Sequence, residues 1–273
     1  MRRPRISPLL LALLVLAAIV PSTASAWAPA DSATITPGVQ TNTGGGQCTA
    51  NFIFTAASGT YIGQAAHCAG TGLATETDGC DAGSLPLGTP VEVDGASRPG
   101  TLAYSSWITM QAAGETNPDA CAYNDFALVK LDPADVGKVN PSVPAFGGPT
   151  GLGGPSATGA TVFSYGNSSL RAGITKLSPK QGIVVATTGN GWSRTVYTVT
   201  PGVPGDSGSG FMDGSGRAVG VLSTLALLPT PLSNGVGDLG RELAYARAHG
   251  FGVTLAPGTE PFRPNLVQAI LDA

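Results

Sequence analysis

The sequence predicts an all-β protein, and three observations carry that expectation. Gly and Pro, 39 and 22 of them in 273 residues, punctuate the chain too often for long helical runs. Only 11% of residues are charged while 42% are apolar, a composition that favours a packed core over a solvated polyelectrolyte. Finally, short β-favouring runs alternate with turn residues. With a net charge of −3 and no basic stripe, nucleic acid is not expected as a partner.

The first element is a targeting segment. Arg2, Arg3 and Arg5 precede twelve apolar residues, Leu9 to Val20, followed by Pro21 and Ala24-Ser25-Ala26. This is the layout of a secretory signal peptide over 1–26, and twelve apolar residues fall short of the roughly 20 that span a bilayer. Cleavage would leave 11 basic and 17 acidic residues, net −6. A secreted protein that leaves the membrane after signal removal follows. Residues 27–46 are polar and Gly-rich and are expected to form a flexible leader or propeptide.

Strand signals then fall into two groups. One covers 51–55, 60–64, 100–104 and 126–131; the other covers 161–165, 182–187, 195–200 and 218–225. Between them, Pro141 to Gly159 holds four Pro and six Gly in 19 residues, as a crossover between two β units would. The expected division is 47–145 and 146–273. Asp238 can cap a helix whose Leu239, Leu243 and Ala246 share a face before Gly250 stops it. A short apolar pattern, Leu266, Val267, Ile270 and Leu271, closes the chain.

Cys48, Cys68, Cys80 and Cys121 form no C-x-x-C pair, and only His67 and His249 could join them, so no metal site is expected. In an oxidising compartment two disulfides are the better reading, and the spacing leaves all three pairings open. No phosphate-cradling glycine loop and no calcium loop are present, so no cofactor is expected.

Three local sequences carry chemistry: Ala65-Ala66-His67-Cys68, Asn124-Asp125-Phe126 and Pro204-Gly205-Asp206-Ser207-Gly208-Ser209-Gly210. A serine hydroxyl is a weak nucleophile until an imidazole takes its proton, and that imidazole needs a carboxylate to hold its tautomer. One of two histidines, one aspartate and one glycine-flanked serine supply such a set, in the order His, Asp, Ser.

At these motifs the sequence resembles the chymotrypsin-like (trypsin-like) serine proteases, secreted bacterial members in particular, over 47–228. The resemblance implies two antiparallel six-stranded β-barrels with short C-terminal helices, the first carrying His67 and Asp125, the second Ser207. It implies a monomeric serine endopeptidase acting on protein or peptide substrates, with His67 as general base and acid, Asp125 as its orienting carboxylate and Ser207 as nucleophile. The backbone amides of Gly205 and Ser207 would form the oxyanion hole. It also implies that Cys48 pairs with Cys68, leaving Cys80 for Cys121. By position, Pro201 would floor the specificity pocket, Ser223 would support Asp125, and Leu225 would narrow the pocket mouth. Small or medium apolar side chains on the acyl side of the cut are then expected.

The sequence departs from the family in two places. Gly208-Ser209-Gly210 replaces the usual Gly-Gly-Pro, and no Ile/Val-Val-Gly-Gly start precedes Cys48 to supply an amine for Asp206. Arg171 and Arg194 are the candidate partners of that acid, and His249 is given no catalytic role. Two other functions compete: a catalytically silent protease-like binding module, and a serine esterase. All three triad residues are present, against the first. The G-x-S-x-G elbow fails at Ser209, against the second.

Overall fold

A computed structural model describes residues 27–73, 76–226 and 230–273; the signal segment expected over 1–26 lies outside them. Seven strands form first: β1 (Gln40–Thr43), β2 (Gly46–Thr49), β3 (Ile53–Ala56), β4 (Gly59–Gln64), β5 (Pro90–Val93), β6 (Gly100–Ser105) and β7 (Ala127–Lys130). Helices α1 (Ser106–Ala113) and α2 (Pro118–Tyr123) interrupt them between β6 and β7. Six more strands follow: β8 (Thr161–Tyr165), β9 (Pro179–Thr188), β10 (Ser193–Val199), β11 (Gly210–Asp213), β12 (Ala218–Leu225) and β13 (Asn234–Asp238). Helix α3 (Leu239–Ala248), strand β14 (Thr254–Leu255) and helix α4 (Leu266–Asp272) end the chain.

The later strands close into a six-stranded antiparallel barrel, β10-β13-β12-β11-β8-β9, whose interior is filled by Val162, Val184, Val196, Phe211 and Val236. The earlier strands form an eight-stranded antiparallel sheet, β14-β3-β4-β7-β6-β5-β1-β2, where the resemblance implied a second six-stranded barrel. Two elements enlarge it. The run 27–46, expected to be a flexible leader or propeptide, is tied to the sheet: its β1 pairs with both β2 and β5, and Ile35 is fully buried in the core beneath. At the other end of the chain, Leu255 of β14 pairs with Phe54 of β3, so the C-terminal segment leaves the barrel unit, against the simple 47–145 and 146–273 division.

The helices also differ from expectation, since α1 and α2 belong to the first sheet and not to the C-terminus. Asn117 caps α2 by accepting from the Asp119 and Ala120 amides, with Pro118 at its first position. Asp238 caps α3 through the Arg241 amide at 2.8 Å, and Leu239, Leu243 and Ala246 are buried. In α4 it is Ala269 that is buried, while Val267 and Leu271 stay exposed.

The two sheets face each other across a third core, which joins Phe52, Phe54 and Phe126 of the first to Phe163, Met212 and Val221 of the second. Phe54 and Phe126 meet edge to face at 5.7 Å, a favoured arrangement for aromatic quadrupoles. Backbone bonds cross the same seam, Thr49 N donating to Ser207 O at 2.8 Å. The seam positions the site.

Candidate active site

His67 lies in a short 3₁₀ turn, Ala66–Ala69, directly after β4. A disulfide from Cys48 in β2 to Cys68 anchors that turn, and a second joins Cys80 to Cys121 at α2. Asp125 follows α2 and precedes β7, and is 4% exposed. Its two oxygens divide the work of holding His67: Oδ1 accepts the backbone amide at 2.9 Å, and Oδ2 faces ring Nδ1 at 2.6 Å. Ser223 Oγ, reaching from β12, donates to the same Oδ2 at 2.5 Å. The acid thus receives three donors, and they fix both its position and the ring's.

Burial and charge oppose each other here. Burial alone would push the imidazole down, but the Asp125 charge and hydrogen bond outweigh it, and the ring titrates above its ordinary 6.5. Burial would likewise raise Asp125, but His67, Ser223 and the His67 amide bring it below the usual carboxylate range. The result is a carboxylate primed to stabilise an imidazolium.

Ser207 lies opposite, on the turn between β10 and β11, and shares with His67 a cleft of about 690 Å³ at the seam of the two sheets. Among the described residues, His67 hydrogen-bonds to Asp125 and not to Ser207. Two glycines make the turn possible. Gly208 has φ +88°, and a Cβ there would stand 2.6 Å from Thr49 O and 2.8 Å from Ala65 N. Gly205 has φ +94°, a region costly for a side-chain-bearing residue.

The peptide planes around Ser207 are held from outside. Ser168 Oγ donates to Pro204 O at 2.5 Å, and a trans peptide points its N–H opposite its C=O, so the Gly205 amide is turned away from Ser168. Gly205 O is taken by Gln47 Nε2 at 3.0 Å and Thr49 Oγ1 at 2.8 Å. Asp206 O accepts from Ser209 N at 3.1 Å, while the Gly205 and Ser207 amides donate to no described residue. Ser168, Gln47 and Thr49 were not singled out in the sequence. No local signal marks them, because each acts across a distance of 36 residues or more.

Asp206 is fully buried, and of its two candidate partners it takes Arg171, whose Nη2 lies 2.5 Å from Oδ2. Ser168 N and Val203 N also donate to the carboxylate. A second cation, absent from the sequence reading, is Lys180 Nζ at 3.2 Å. Arg194 goes elsewhere: it lies opposite Val236 of β13 and pairs with Asp238, two residues further along that strand, at 2.7 Å.

The expected specificity residues separate. Ser223 and Leu225 line the cleft, beside Gly202, Val203, Leu222 and Thr224. Pro201 does not; its carbonyl turns to Arg171 at 3.2 Å, and the wall begins one residue later. Behind the wall, buried Asn234 accepts from Gly202 N at 2.8 Å and donates to Gly202 O and Thr224 O. All of its polar capacity toward the cleft is spent on backbone.

Comparison with known proteins follows from this geometry. None of the curated proteins matches the chain. Among solved structures, Thermobifida fusca Protease A is 19% identical with a TM-score of 0.53, covering 82% of this chain and 99% of its own. A glutamic acid-specific serine protease, described as using a histidine triad in substrate binding, is 18% identical with a TM-score of 0.52, covering 81% and 100%. At such identities the likeness is one of fold. Family membership rests on the sequence itself: the trypsin-like peptidase domain matches residues 48–221. That match spans well over half of the chain, from the first cysteine through the strand after the Ser207 turn, and the chain belongs to the trypsin-like peptidase family.

Proposed function

We propose that this serine endopeptidase cleaves peptide bonds through an acyl-enzyme on Ser207, with His67 as general base and then general acid and Asp125 as the carboxylate that orients it. The observation that carries the reading is Asp125 holding His67 through both oxygens while a third donor, Ser223, braces it, on the same cleft as Ser207. Attack by Ser207 Oγ on the carbonyl carbon breaks its O–H bond, and the proton passes to His67 Nε2. Negative charge that develops on the carbonyl oxygen meets the Gly205 and Ser207 amides, turned and left undonated for it. The imidazolium then gives its proton to the leaving amine, and water repeats the sequence to release the acid.

The cleft supports small or medium apolar side chains on the acyl side. Val203, Leu222 and Leu225 are apolar, Asn234 is committed to backbone, and the one acid of that turn, Asp206, is sealed behind Arg171 and Lys180. A lysine or arginine would enter this wall unpaired. Glutamate recognition by a histidine triad is not available, because the chain holds two histidines and one of them is His67. Both disulfides and the expected signal peptide over 1–26 support export.

An active-site-directed fluorophosphonate should label the wild type on Ser207, as mapped by mass spectrometry. Ser207→Ala should escape labelling and lose on the order of 10⁴-fold or more in turnover while remaining folded. A wild type that is inert on a broad peptide library and unlabelled would hand the fold to the binding-module reading.

A further inference from the structure

Helix α3 carries an acid that the chemistry above does not use. Glu242 is fully buried, and neither carboxyl oxygen forms a hydrogen bond with a described residue. It packs behind the loop that bears Asp125. The Asp125 amide acts on it electrostatically without reaching hydrogen-bond geometry. Its Oε1 fills the space beside Gly237, where a Cβ would stand 2.3 Å from that oxygen and 3.4 Å from Tyr123 O.

The charges facing Glu242 come from four elements. Asp125 lies before β7, Asp238 caps α3 itself, Arg194 projects from β10, and Tyr104 lies on β6 with its hydroxyl pushed up by burial first and by Tyr245 and Glu242 more weakly. Helix α1, which packs on α3, and strand β12 bring no ionisable side chain. Arg194 is already bonded to Asp238 at 2.7 Å, so one engaged cation faces three carboxyl groups. Burial first, then Asp125 and Asp238, hold Glu242 well above the ordinary carboxylate range. A neutral carboxyl has one O–H donor and one carbonyl acceptor, where a carboxylate has acceptors alone.

We propose that Glu242 is a positioning residue for the catalytic acid: an uncharged carboxyl whose hydroxyl and carbonyl seat the Tyr123–Asp125 backbone while adding no second negative charge behind Asp125. Tyr123 O borders the same space beside Gly237 as Glu242 Oε1, and the Asp125 amide acts on the carboxyl, so these are the acceptor and donor it would engage. Because Glu242 is neutral, the imidazolium of His67 is stabilised by Asp125 alone, and its basicity stays matched to the reaction. The proposal rests on the reading of His67, Asp125 and Ser207 as the triad.

Glu242→Gln keeps a donor and an acceptor without a charge to lose; Glu242→Ala removes both. The His67 Nδ1–H resonance, titrated by NMR, reports the imidazole without any substrate. We expect Glu242→Gln to leave its midpoint within about 0.2 unit of wild type and kcat/KM within about twofold at neutral pH. Folded Glu242→Ala should lose roughly tenfold or more in kcat with KM within about threefold, since only the alignment of the acid is disturbed. A fall in the His67 midpoint of about half a unit or more in Glu242→Gln would show an ionised Glu242 and overturn the proposal. A folded Glu242→Ala with wild-type kcat would overturn it as well. Should Glu242→Ala fail to fold, the Glu242→Gln titration decides. Failure of the triad reading shows separately, as an unlabelled and inert wild type whose His67 resonance can still be titrated.

Discussion

Lys180 Nζ lies 3.2 Å from Asp206 Oδ2, and neither side chain is exposed to solvent. Arg171 holds the same oxygen, so two cations share one buried carboxylate behind the Ser207 turn. Removing the arginine would leave the acid with its weaker partner, and breaking a buried pair costs about 3–5 kcal/mol. The lysine is the surplus charge of the site. Burial lowers it first, Asp206 raises it, Arg171 lowers it again, and the net places it at about 8.

That displacement makes stability depend on pH in the alkaline range. The unfolded chain keeps the Lys180 proton up to about 10.5, while the folded protein releases it near 8. Between these values the unfolded state binds more protons, so the lysine's contribution to stability rises with pH, by up to about 3 kcal/mol. Denaturant unfolding of wild type and Lys180→Met from pH 7 to 11 should show the gap between them shifting in favour of wild type as pH rises. A gap that is constant across this range would refute the assignment.

On the proposed mechanism Ser168 bears on catalysis without touching substrate. Its hydroxyl holds the Pro204 carbonyl and thereby turns the Gly205 amide. Ser168→Ala frees that peptide to rotate, and kcat should fall roughly 10- to 100-fold, less than for outright loss of an oxyanion donor. KM should change little. Equal kcat in Ser168→Ala and wild type would remove this link.

Leu225 is half-buried on the cleft wall, where Pro201 is not. Wild type should prefer peptides with Ala or Leu on the acyl side over those with Lys or Arg. Leu225→Gly should widen the site and raise kcat/KM for Phe relative to Ala by about tenfold, the scale of a few methylene groups in an apolar pocket. Higher kcat/KM for Lys or Arg than for Ala or Leu in the wild type would sink the specificity reading.

As the proposed general base His67 must be neutral to act, and Asp125 holds it above its ordinary 6.5. The acid limb of kcat/KM should therefore have its midpoint above 6.5. In Asp125→Asn the charge that raises the ring is gone while its burial remains, so the limb should move down as activity falls by about 10⁴-fold. A limb that stays in place in Asp125→Asn would detach it from His67.

The sequence alone determined the family and pointed to the residues proposed to react. Ala-Ala-His-Cys, Asn-Asp-Phe and Gly-Asp-Ser-Gly are contiguous stretches, and the chemistry each carries is written in residue types at fixed local spacing. The eight strand signals were legible for a similar reason, since β propensity and turn residues act over a few neighbours. Tertiary structure decided what joins distant segments. The glycine-rich run 27–46 looks like a detached leader until β2 and β5 offer their edges to β1. Strand β14 is two residues long and exists only because Phe54 and Thr55 pair with it. Arg171 and Arg194 are alike as candidate partners of Asp206 in sequence, and Lys180 gives no sign there; in the fold Arg194 lies opposite Val236 and pairs with Asp238, while Arg171 and Lys180 pair with Asp206. Pro201 missed the cleft by one residue because wall position follows the path of the backbone. Ser168, Gln47 and Glu242 carry no motif, for their roles arise from hydrogen-bonding and burial that depend on which surfaces the two sheets press together.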